Sequence, residues 1–280
     1  MILPSRSIAP SDVADHYDEL DVFYREVWGE HVHHGLWRTG RESDVEAAEQ
    51  LVTYLADVIA LRHGERVVDI GAGYGATARL LAERYAADVT AFTVSRAQYE
   101  IAAAKPAAPG VRYLLRDWLR NDLPSESADA AIAIESTEHM LDKAGAFVEA
   151  HRVLRAGGRL AVCAWIARER PSRWEERYLL EPICREGRLA GMGSESEYRA
   201  LLADAGFTDV RVEDLTVAVK RTWPKCARGV GVRLLRDARY RHFLFDRASR
   251  NRVFALTLLR IWTAYETGAM RYLLFVARKP

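Results

Sequence analysis

A glycine-rich turn is the first feature of this chain whose residue types and spacing suit the binding of a ligand. Gly71, Gly73 and Gly75 follow the apolar segment 66–70, and Asp69 lies two residues before the first of these glycines. Glycine adopts backbone angles that other residues resist, so the main chain can approach a nucleotide-type cofactor closely. A tight turn without a ligand would have the same composition. The G-x-G-x-G spacing disfavours a dinucleotide, for which G-x-G-x-x-G is typical.

A second group of residues could move protons. Glu138 and His139 follow another apolar segment, and His31, His33 and His34 stand close together near the N-terminus. A carboxylate or an imidazole within reach of an acceptor proton can act as a general base, worth roughly 10²–10⁴-fold in rate. Glu138, His139 and His34 are therefore candidate catalytic residues, although His139 could instead cap the following helix. Histidines also bind metal ions, but no cysteine or carboxylate accompanies these at a ligand spacing, so we predict no metal site.

The elements that must position these groups begin with a helix at Ser43. Ser43 and Glu46 form a capping-box pattern, and Gly64 marks the predicted end of the helix. Its apolar face is predicted to contain Val45, Ala48, Val52, Leu55 and Ile59.

Strands and helices then alternate along the chain. Strands are predicted at 66–70, 88–92, 111–115, 128–134, 158–165, 208–218 and 271–277. Helices are predicted at 76–85, 95–104, 144–154 and 195–205, with one further long helix ending near Thr267. Such repeated units predict a doubly wound, parallel α/β sheet. Because ligands of these sheets bind at the carboxyl ends of the strands, the glycine turn and the Glu138–His139 pair should lie at one edge.

The composition is that of a soluble globular protein and disfavours nucleic-acid binding and a disulfide framework. The 280 residues include 40 basic and 39 acidic ones, giving a net charge of +1, and 49% are hydrophobic. This balance is typical of a soluble globular protein and gives no electrostatic reason to expect nucleic-acid binding. Cys163, Cys184 and Cys226 form no CxxC pair, which favours a reducing cytosol over a disulfide framework.

Membrane insertion is also disfavoured. No signal-peptide core follows the first residues, and the longest apolar run, 160–167, is less than half a membrane span. The arginine-rich segment 228–252 is interrupted by Asp237 and Asp246, as is typical of a solvated helix face. We therefore expect a cytoplasmic protein acting on a small molecule, and the sequence leaves a homo-oligomer open.

Several motifs resemble those of known enzymes. The run from Asp69 to Gly75 resembles motif I of class I S-adenosylmethionine-dependent methyltransferases, and 154–160 (LRAGGRL) resembles the turn before their fifth strand. The segments 16–18 (HYD), 28–35 (WGEHVHHG) and 134–143 (IESTEHMLDK) resemble γ-tocopherol C-methyltransferases and related enzymes that methylate aromatic natural products. The resemblance implies a Rossmann-like seven-stranded, mostly parallel sheet over 43–280. Segments 1–42, about 166–194 and about 220–268 do not fit the strand–helix alternation, and we expect them to form a cover over the acceptor pocket.

The same resemblance assigns the candidate site residues by position. It implies that S-adenosylmethionine is bound by Tyr17, Asp69, Gly71, Gly73, Gly75, Thr93, Gln98, Asp117, Trp118 and Glu135. We expect Tyr24, His31 and Trp165 to line an acceptor pocket, with Trp223 and Trp262 as further aromatic candidates. Thr93 stands where most class I enzymes have an acid for the ribose, which also counts against NAD. Cys163 stands where cyclopropane synthases have a histidine, which puts bicarbonate-assisted lipid chemistry in doubt.

The function expected from these motifs is methyl transfer. The sulfonium methyl is already electrophilic, so an enzyme mainly aligns the nucleophile and excludes water. We expect C-methylation of a small apolar aromatic or prenylated-aromatic acceptor in natural product biosynthesis. Alternatives are N- or O-methylation of a similar acceptor, a non-catalytic module that binds the cofactor, and an NAD-dependent oxidoreductase.

Overall fold

The computed structural model describes residues 1–245 and 254–280. Asp246 and Arg252 of the predicted solvated face lie outside the described residues, as does part of the predicted insertion 220–268. Seven strands form one sheet in the order β3-β2-β1-β4-β5-β7-β6. Their bounds are β1 Arg66–Ile70, β2 Asp88–Thr93, β3 Val111–Leu115, β4 Ala128–Ile134, β5 Leu154–Ala167, β6 Thr208–Asp214 and β7 Met270–Arg278.

The sheet is parallel except at its last strand. β7 lies between β5 and β6 and runs antiparallel to both, whereas the pairs among β1 to β5 are parallel. The chain crosses from β3 to β4 next to β1, so the strand order reverses beside β1, where α/β sheets bind their ligands. This confirms the predicted seven-stranded, mostly parallel α/β sheet.

Thirteen α-helices surround the sheet in the described part of the chain. Their bounds are α1 Pro10–Glu19, α2 Asp21–Val27, α3 Asp44–Val58, α4 Ala76–Tyr85, α5 Arg96–Ala104, α6 Lys143–Val153, α7 Arg173–Glu175, α8 Glu181–Glu186, α9 Glu195–Asp204, α10 Thr216–Val219, α11 Thr222–Arg236, α12 Ala238–Phe245 and α13 Phe254–Glu266. The capping box predicted at the start of α3 is present: the Ser43 hydroxyl accepts from Glu46 N, and Ser43 N donates to the Glu46 carboxylate at 2.7 Å.

Four sequence-based expectations about these elements are wrong. Helix α3 ends before Gly64, since Ala60 already adopts a left-handed conformation (φ 49°), and Val45 is 55% exposed rather than part of the apolar face. The predicted strand 208–218 ends at Asp214 and continues as α10. The single long helix ending near Thr267 is interrupted, because Asp237 between α11 and α12 has extended backbone angles.

The core occupies both faces of the sheet. Val67 packs in one apolar cluster and Val68 in the other, because successive side chains of a strand point to opposite faces. One cluster contains Leu51 and Leu55 of α3, and the other contains Phe147 of α6. Every residue of β4 is buried, so the central strand is covered on both sides. Within the described residues, no helix is long and apolar enough to cross a membrane.

Candidate active site

A cavity of about 360 Å³ lies at the carboxyl ends of the central strands. That volume falls in the range of about 300–1,000 Å³ found for small-molecule and cofactor sites. Eight of the ten residues predicted to bind the cofactor line it: Tyr17, Gly71, Gly73, Thr93, Gln98, Asp117, Trp118 and Glu135. Val13, Ser136 and Met140 line it too; Ser136 and Met140 belong to the segment 134–143 that carries the resemblance, whereas no signal in the sequence distinguishes Val13 from an ordinary core residue.

The glycine turn provides the close backbone approach that the sequence predicted. Gly71 has φ +84°, and a Cβ at this position would overlap the Cβ of Ser136. Gly73 has φ +55° and an open surrounding on the cavity side, with only Gln98 Nε2 at 4.0 Å. Gly75 is not among the cavity residues; it begins α4 with φ +75° beside the ring of Tyr113. Its requirement for glycine is therefore both conformational and steric, because a Cβ would overlap the Tyr113 ring.

The segment after β2 joins the N-terminal helix to the cavity. The Thr93 hydroxyl donates to Gln98 Oε1 at 2.8 Å, which holds two predicted cofactor residues together. Asp18 of α1 accepts hydrogen bonds from the Ser95 hydroxyl and from Ala97 N at the start of α5. These bonds position the end of α1, and with it Tyr17, at the cavity.

Asp117 and Trp118 are fixed by their own neighbours. The Asp117 carboxylate accepts from Leu119 N at 3.0 Å. Trp118 is buried, donates from Nε1 to the carbonyl of Ala146 at 3.0 Å, and packs edge-to-face against Phe92. The indole therefore forms a rigid wall of the cavity.

Asp69 and His31 lie together in a separate small cavity of about 30 Å³ behind the glycine turn. Burial raises the pKa of Asp69 to about 7, and its Oδ2 has no hydrogen-bond partner among the described residues. His31 is hydrogen-bonded to His33 at 3.2 Å, and burial lowers its pKa to about 3. The expected place of His31 in the acceptor pocket is thus not the one that the structure gives it, because its ring faces inward beside the glycine turn.

A second cavity of about 80 Å³ adjoins the first. Tyr17, Val32, Glu135 and His139 line both cavities and form the boundary between them. Tyr24, His34, Glu138 and Trp165, all named from the sequence, line only the second cavity. The remaining lining is His16, Trp28, His33, Ile183, Glu186, Gly187, Leu189, Trp223, Thr257 and Ile261. Trp262, by contrast, is 47% exposed and lines neither cavity.

Glu135 is the anchor of this boundary. Its Oε1 accepts from His34 N at 2.7 Å, from His34 Nδ1 at 3.0 Å and from the Tyr272 hydroxyl at 2.8 Å, while Oε2 accepts from Trp165 Nε1 at 3.0 Å. Burial opposes the charged form, but the His34 contacts prevail and lower the pKa of Glu135 to about 2. The residue has φ +52°, a conformation that these four bonds hold in place.

His34 is fully engaged in that network. Because Nδ1 donates to Glu135, Nε2 is the accepting nitrogen, and it takes hydrogen bonds from Trp223 Nε1 at 2.7 Å and from the Tyr265 hydroxyl at 3.3 Å. Both ring nitrogens are thus occupied, and neither is free to take a proton from the molecule that is methylated. The arrangement favours a structural role for His34 over the predicted catalytic one.

His139 has the arrangement expected of a base. Its Nδ1 lies 2.9 Å from the carbonyl oxygen of Arg188, which can only accept, so Nδ1 carries the proton. Its Nε2 therefore accepts from the Tyr17 hydroxyl at 3.0 Å. Burial lowers the pKa of His139 to about 4, which keeps the imidazole neutral near pH 7. His139 does not cap α6, whose first turn is capped by Asp142.

Glu138 is buried beside the same cavity. Oε1 accepts from Trp165 N at 2.6 Å and Oε2 from the Thr137 hydroxyl at 3.2 Å. Burial raises the pKa of Glu138 to about 7, and the hydrogen bond from Trp165 N opposes that rise only in part. Among the described residues, no group of three or more His, Cys, Asp or Glu side chains is placed to hold a metal ion.

Known proteins resemble this chain along nearly its whole length. It is 31% identical to the 27-O-demethylrifamycin SV methyltransferase of Amycolatopsis mediterranei (strain S699), covering 97% of this chain and 98% of that protein. It is 26% identical to the chloroplastic tocopherol O-methyltransferase of Arabidopsis thaliana, covering 96% and 82%. Mycolic acid cyclopropane synthase CmaA1, solved with SAH and CTAB, shares the fold with a TM-score of 0.84 at 22% identity, covering 98% of this chain and 99% of that one.

The fold and the glycine-lined cavity define a class I S-adenosylmethionine-dependent methyltransferase. The chain belongs to the mycolic acid cyclopropane synthetase family, whose sequence profile matches residues 5–228. This membership confirms the predicted enzyme class, the cofactor and the similarity to tocopherol methyltransferases, and it sets aside the NAD-dependent alternative. The open glycine turn and the unpartnered Asp69 oxygen are consistent with a polar cofactor at this edge of the sheet.

Proposed function

We propose that this enzyme methylates a hydroxyl oxygen of a neutral, largely apolar acceptor, with His139 as the general base. The observation that carries the proposal is the accepting nitrogen of His139 at the boundary of the two cavities. The cofactor, when bound, supplies an electrophilic methyl group. Tyr17, Gly71, Gly73, Thr93, Gln98, Asp117 and Trp118 are the residues that we propose hold it.

The proton has a defined destination in this arrangement. An acceptor hydroxyl that replaces the Tyr17 hydroxyl as donor to His139 Nε2 would pass its proton to that nitrogen as its oxygen takes the methyl group, and the methyl–sulfur bond would break to leave a neutral thioether. The bond between His139 Nδ1 and the Arg188 carbonyl keeps the ring in the required tautomer and stabilises the imidazolium. A positioned base of this kind contributes roughly 10²–10⁴-fold.

The charged side chains that line the second cavity limit the charge that a methyl acceptor can carry. No lysine or arginine is among its described lining residues, whereas Glu135, Glu138 and Glu186 are. Glu186 is neutralised by Arg260 outside the lining, but Glu135 remains anionic. A carboxylate or phosphate on the acceptor would therefore be desolvated beside like charge, which is costly. This favours an uncharged acceptor.

The size and walls of the cavity indicate which part of the acceptor enters. Trp165 and Trp223 lie edge-to-face with ring centres 5.6 Å apart, and Trp28 packs against Trp223 at 5.9 Å. These rings favour a flat or apolar group. A volume of about 80 Å³ holds only the reacting part of a larger molecule, so the remainder of a bulky acceptor would lie outside it.

Several relatives support oxygen as the methylated atom through their names alone. Two are named as acting at oxygen, on demethylrifamycin SV and on tocopherol. Carbon methylation, expected from the sequence, stays a second candidate because the indole walls suit an aromatic ring. The same base would raise electron density on a phenol or an indole by taking its proton.

Product analysis tests the proposal. The protein is incubated with S-adenosylmethionine labelled with ¹³C in the methyl group and with a panel of neutral phenols, indoles and hydroxylated macrocycles. An O-methyl carbon resonates well downfield of a C-methyl carbon, so one spectrum assigns the methylated atom. Label on oxygen supports the proposal. Label only on carbon or nitrogen overturns it while leaving the enzyme class intact.

A further inference from the structure

A fourth cavity, of about 190 Å³, lies at the opposite edge of the sheet from the cofactor cavity. It is formed where the end of α3 meets β5, β6 and β7, close to the start of β4, since Arg159 of β5 pairs with Ala130. Its lining is Val58, Ile59, Ala60, Arg62, Arg159, Asp209, Arg211, Val276, Ala277 and Arg278. None of these residues lines the cofactor or acceptor cavity.

The strand register brings three of the arginines to one face. Arg159 of β5 lies directly opposite Arg278 of β7, and Arg211 of β6 lies opposite Val276. Opposite residues, and residues two apart on one strand, share a face of the sheet. Like charges directly opposite each other destabilise a sheet. A negative charge between the two strands would therefore stabilise the pairing of Arg159 with Arg278.

The arginines are poorly matched by acidic groups. Arg159 is paired with Glu65, yet its Nε is buried and has no acceptor among the described residues. Arg62, Arg211 and Arg278 make no ion pair with any residue that the structure describes, and all three are exposed. Asp209 is the one acidic residue of the described lining. Three unpaired guanidinium groups thus face a single carboxylate.

We propose that this cavity binds a phosphate group, as inorganic phosphate or as the head of a phosphate ester. The planar guanidinium fork matches phosphate oxygens and makes charge-assisted hydrogen bonds to them. The apolar wall of Val58, Ile59 and Val276 suits the organic part of an ester.

Two features oppose the anion and limit its affinity. Asp209 contributes a negative charge, and the carboxyl end of α3 contributes a partial one. The net excess of positive charge nevertheless matches a dianion. Because the site shares no residue with the catalytic cavities, binding there does not depend on the proposed methyl acceptor.

A ³¹P NMR titration of the full chain tests the proposal. Inorganic phosphate and phenyl phosphate are titrated separately, with ionic strength held constant by chloride. We expect saturable binding, weakened by about tenfold or more in Arg211→Ala/Arg278→Ala, because two charge-assisted contacts are lost. Tighter binding of phenyl phosphate identifies an ester as the ligand, and tighter binding of the inorganic ion identifies free phosphate.

Matched controls keep the outcome clear. Arg170→Ala/Arg173→Ala removes the same charge from exposed positions away from the cavity and should leave the affinity unchanged. Binding of S-adenosylhomocysteine by every variant shows that each is folded; if the double variant does not fold, Arg62→Ala replaces it. No saturable binding of either probe to the wild type overturns the proposal, as does an equal loss in the control variant.

Discussion

The Tyr17 hydroxyl donates a hydrogen bond to Nε2 of His139 at 3.0 Å, and both residues line the cofactor cavity and the acceptor cavity. The two residues are 122 positions apart in the chain. Tyr17 reaches this position because Asp18 ties α1 to the start of α5, and His139 because it follows the end of β4. The contact therefore joins the N-terminal segment to the reacting edge of the sheet.

This contact leads to a prediction about His139 and Tyr17. His139→Ala should lower kcat by roughly 10²–10⁴-fold because the general base is lost. Tyr17→Phe should lower it by no more than about tenfold, since the acceptor hydroxyl is proposed to replace Tyr17 as donor to the imidazole. Calorimetric titration with S-adenosylhomocysteine checks that the cofactor site survives. Equal losses of kcat in both variants would instead assign the proton transfer to Tyr17.

The glycine turn gives a prediction about cofactor binding. Gly71→Ala should cost more than the roughly 1–2 kcal/mol of a left-handed alanine, because the added Cβ overlaps Ser136 as well. It should also weaken S-adenosylhomocysteine binding. Gly157→Ala is the matched control: φ is +75° there, but no atom lies within 4 Å of the added Cβ. Urea unfolding and calorimetry measure both effects, and equal stability losses would mean that the contact with Ser136 relaxes.

From the burial of the Glu138 carboxyl group we predict that the stability of the protein depends on pH. Burial raises its folded-state pKa from 4.5 to about 7, so the folded state holds this proton more tightly than the unfolded chain does. The free energy of unfolding should therefore fall as the pH rises from about 4.5 through about 7, by on the order of 3 kcal/mol from this group.

Glu138→Gln isolates that contribution. The amide is neutral throughout, so the stability of the variant should depend less on pH over this interval. Asp69, whose pKa is also raised by burial, is present in both proteins and cancels in the difference. Denaturant unfolding at a series of pH values measures this difference in stability between the wild type and the variant. Parallel curves for the two proteins would show that Glu138 does not titrate in this range.

From the hydrogen bonds of Glu135 we predict that a nearly isosteric substitution at this position causes a large loss of stability. Glu135→Gln removes the charge and replaces one accepting oxygen by a donor, leaving buried donors among His34, Trp165 and Tyr272 without partners. At about 1–3 kcal/mol for each unsatisfied group, we expect a loss of roughly 2–4 kcal/mol in unfolding free energy.

An exposed carboxylate serves as the comparison for Glu135. Glu213 accepts a hydrogen bond from the Tyr54 hydroxyl at the surface, and Glu213→Gln should change stability by no more than about 0.5 kcal/mol. Thermal and urea unfolding of both variants measure the contrast. A similar, small effect at both positions would mean that the network around Glu135 rearranges at little cost.

Local patterns were sufficient for much of the fold. The bounds predicted for β1, α4, β3 and β4 agree with the structure, as does the capping box of Ser43 and Glu46. Each rests on residues a few positions apart, so the relevant physics is contained in a short window of sequence. The end of α3 at Val58 and the exposure of Val45 were missed because both depend on what the helix packs against.

The candidate site also has one part that the sequence determined and one part that depends on the tertiary structure. The sequence by itself determined the class of enzyme, the cofactor and most of its cavity, because the motifs that carry the family resemblance occupy short segments of the chain at predicted strand ends. Only the tertiary structure decided that His34 is occupied by Glu135, Trp223 and Tyr265, and that His139 has an accepting nitrogen at the boundary of two cavities. The protonation and role of a histidine depend on hydrogen-bond partners, and here those partners come from segments far apart in the chain.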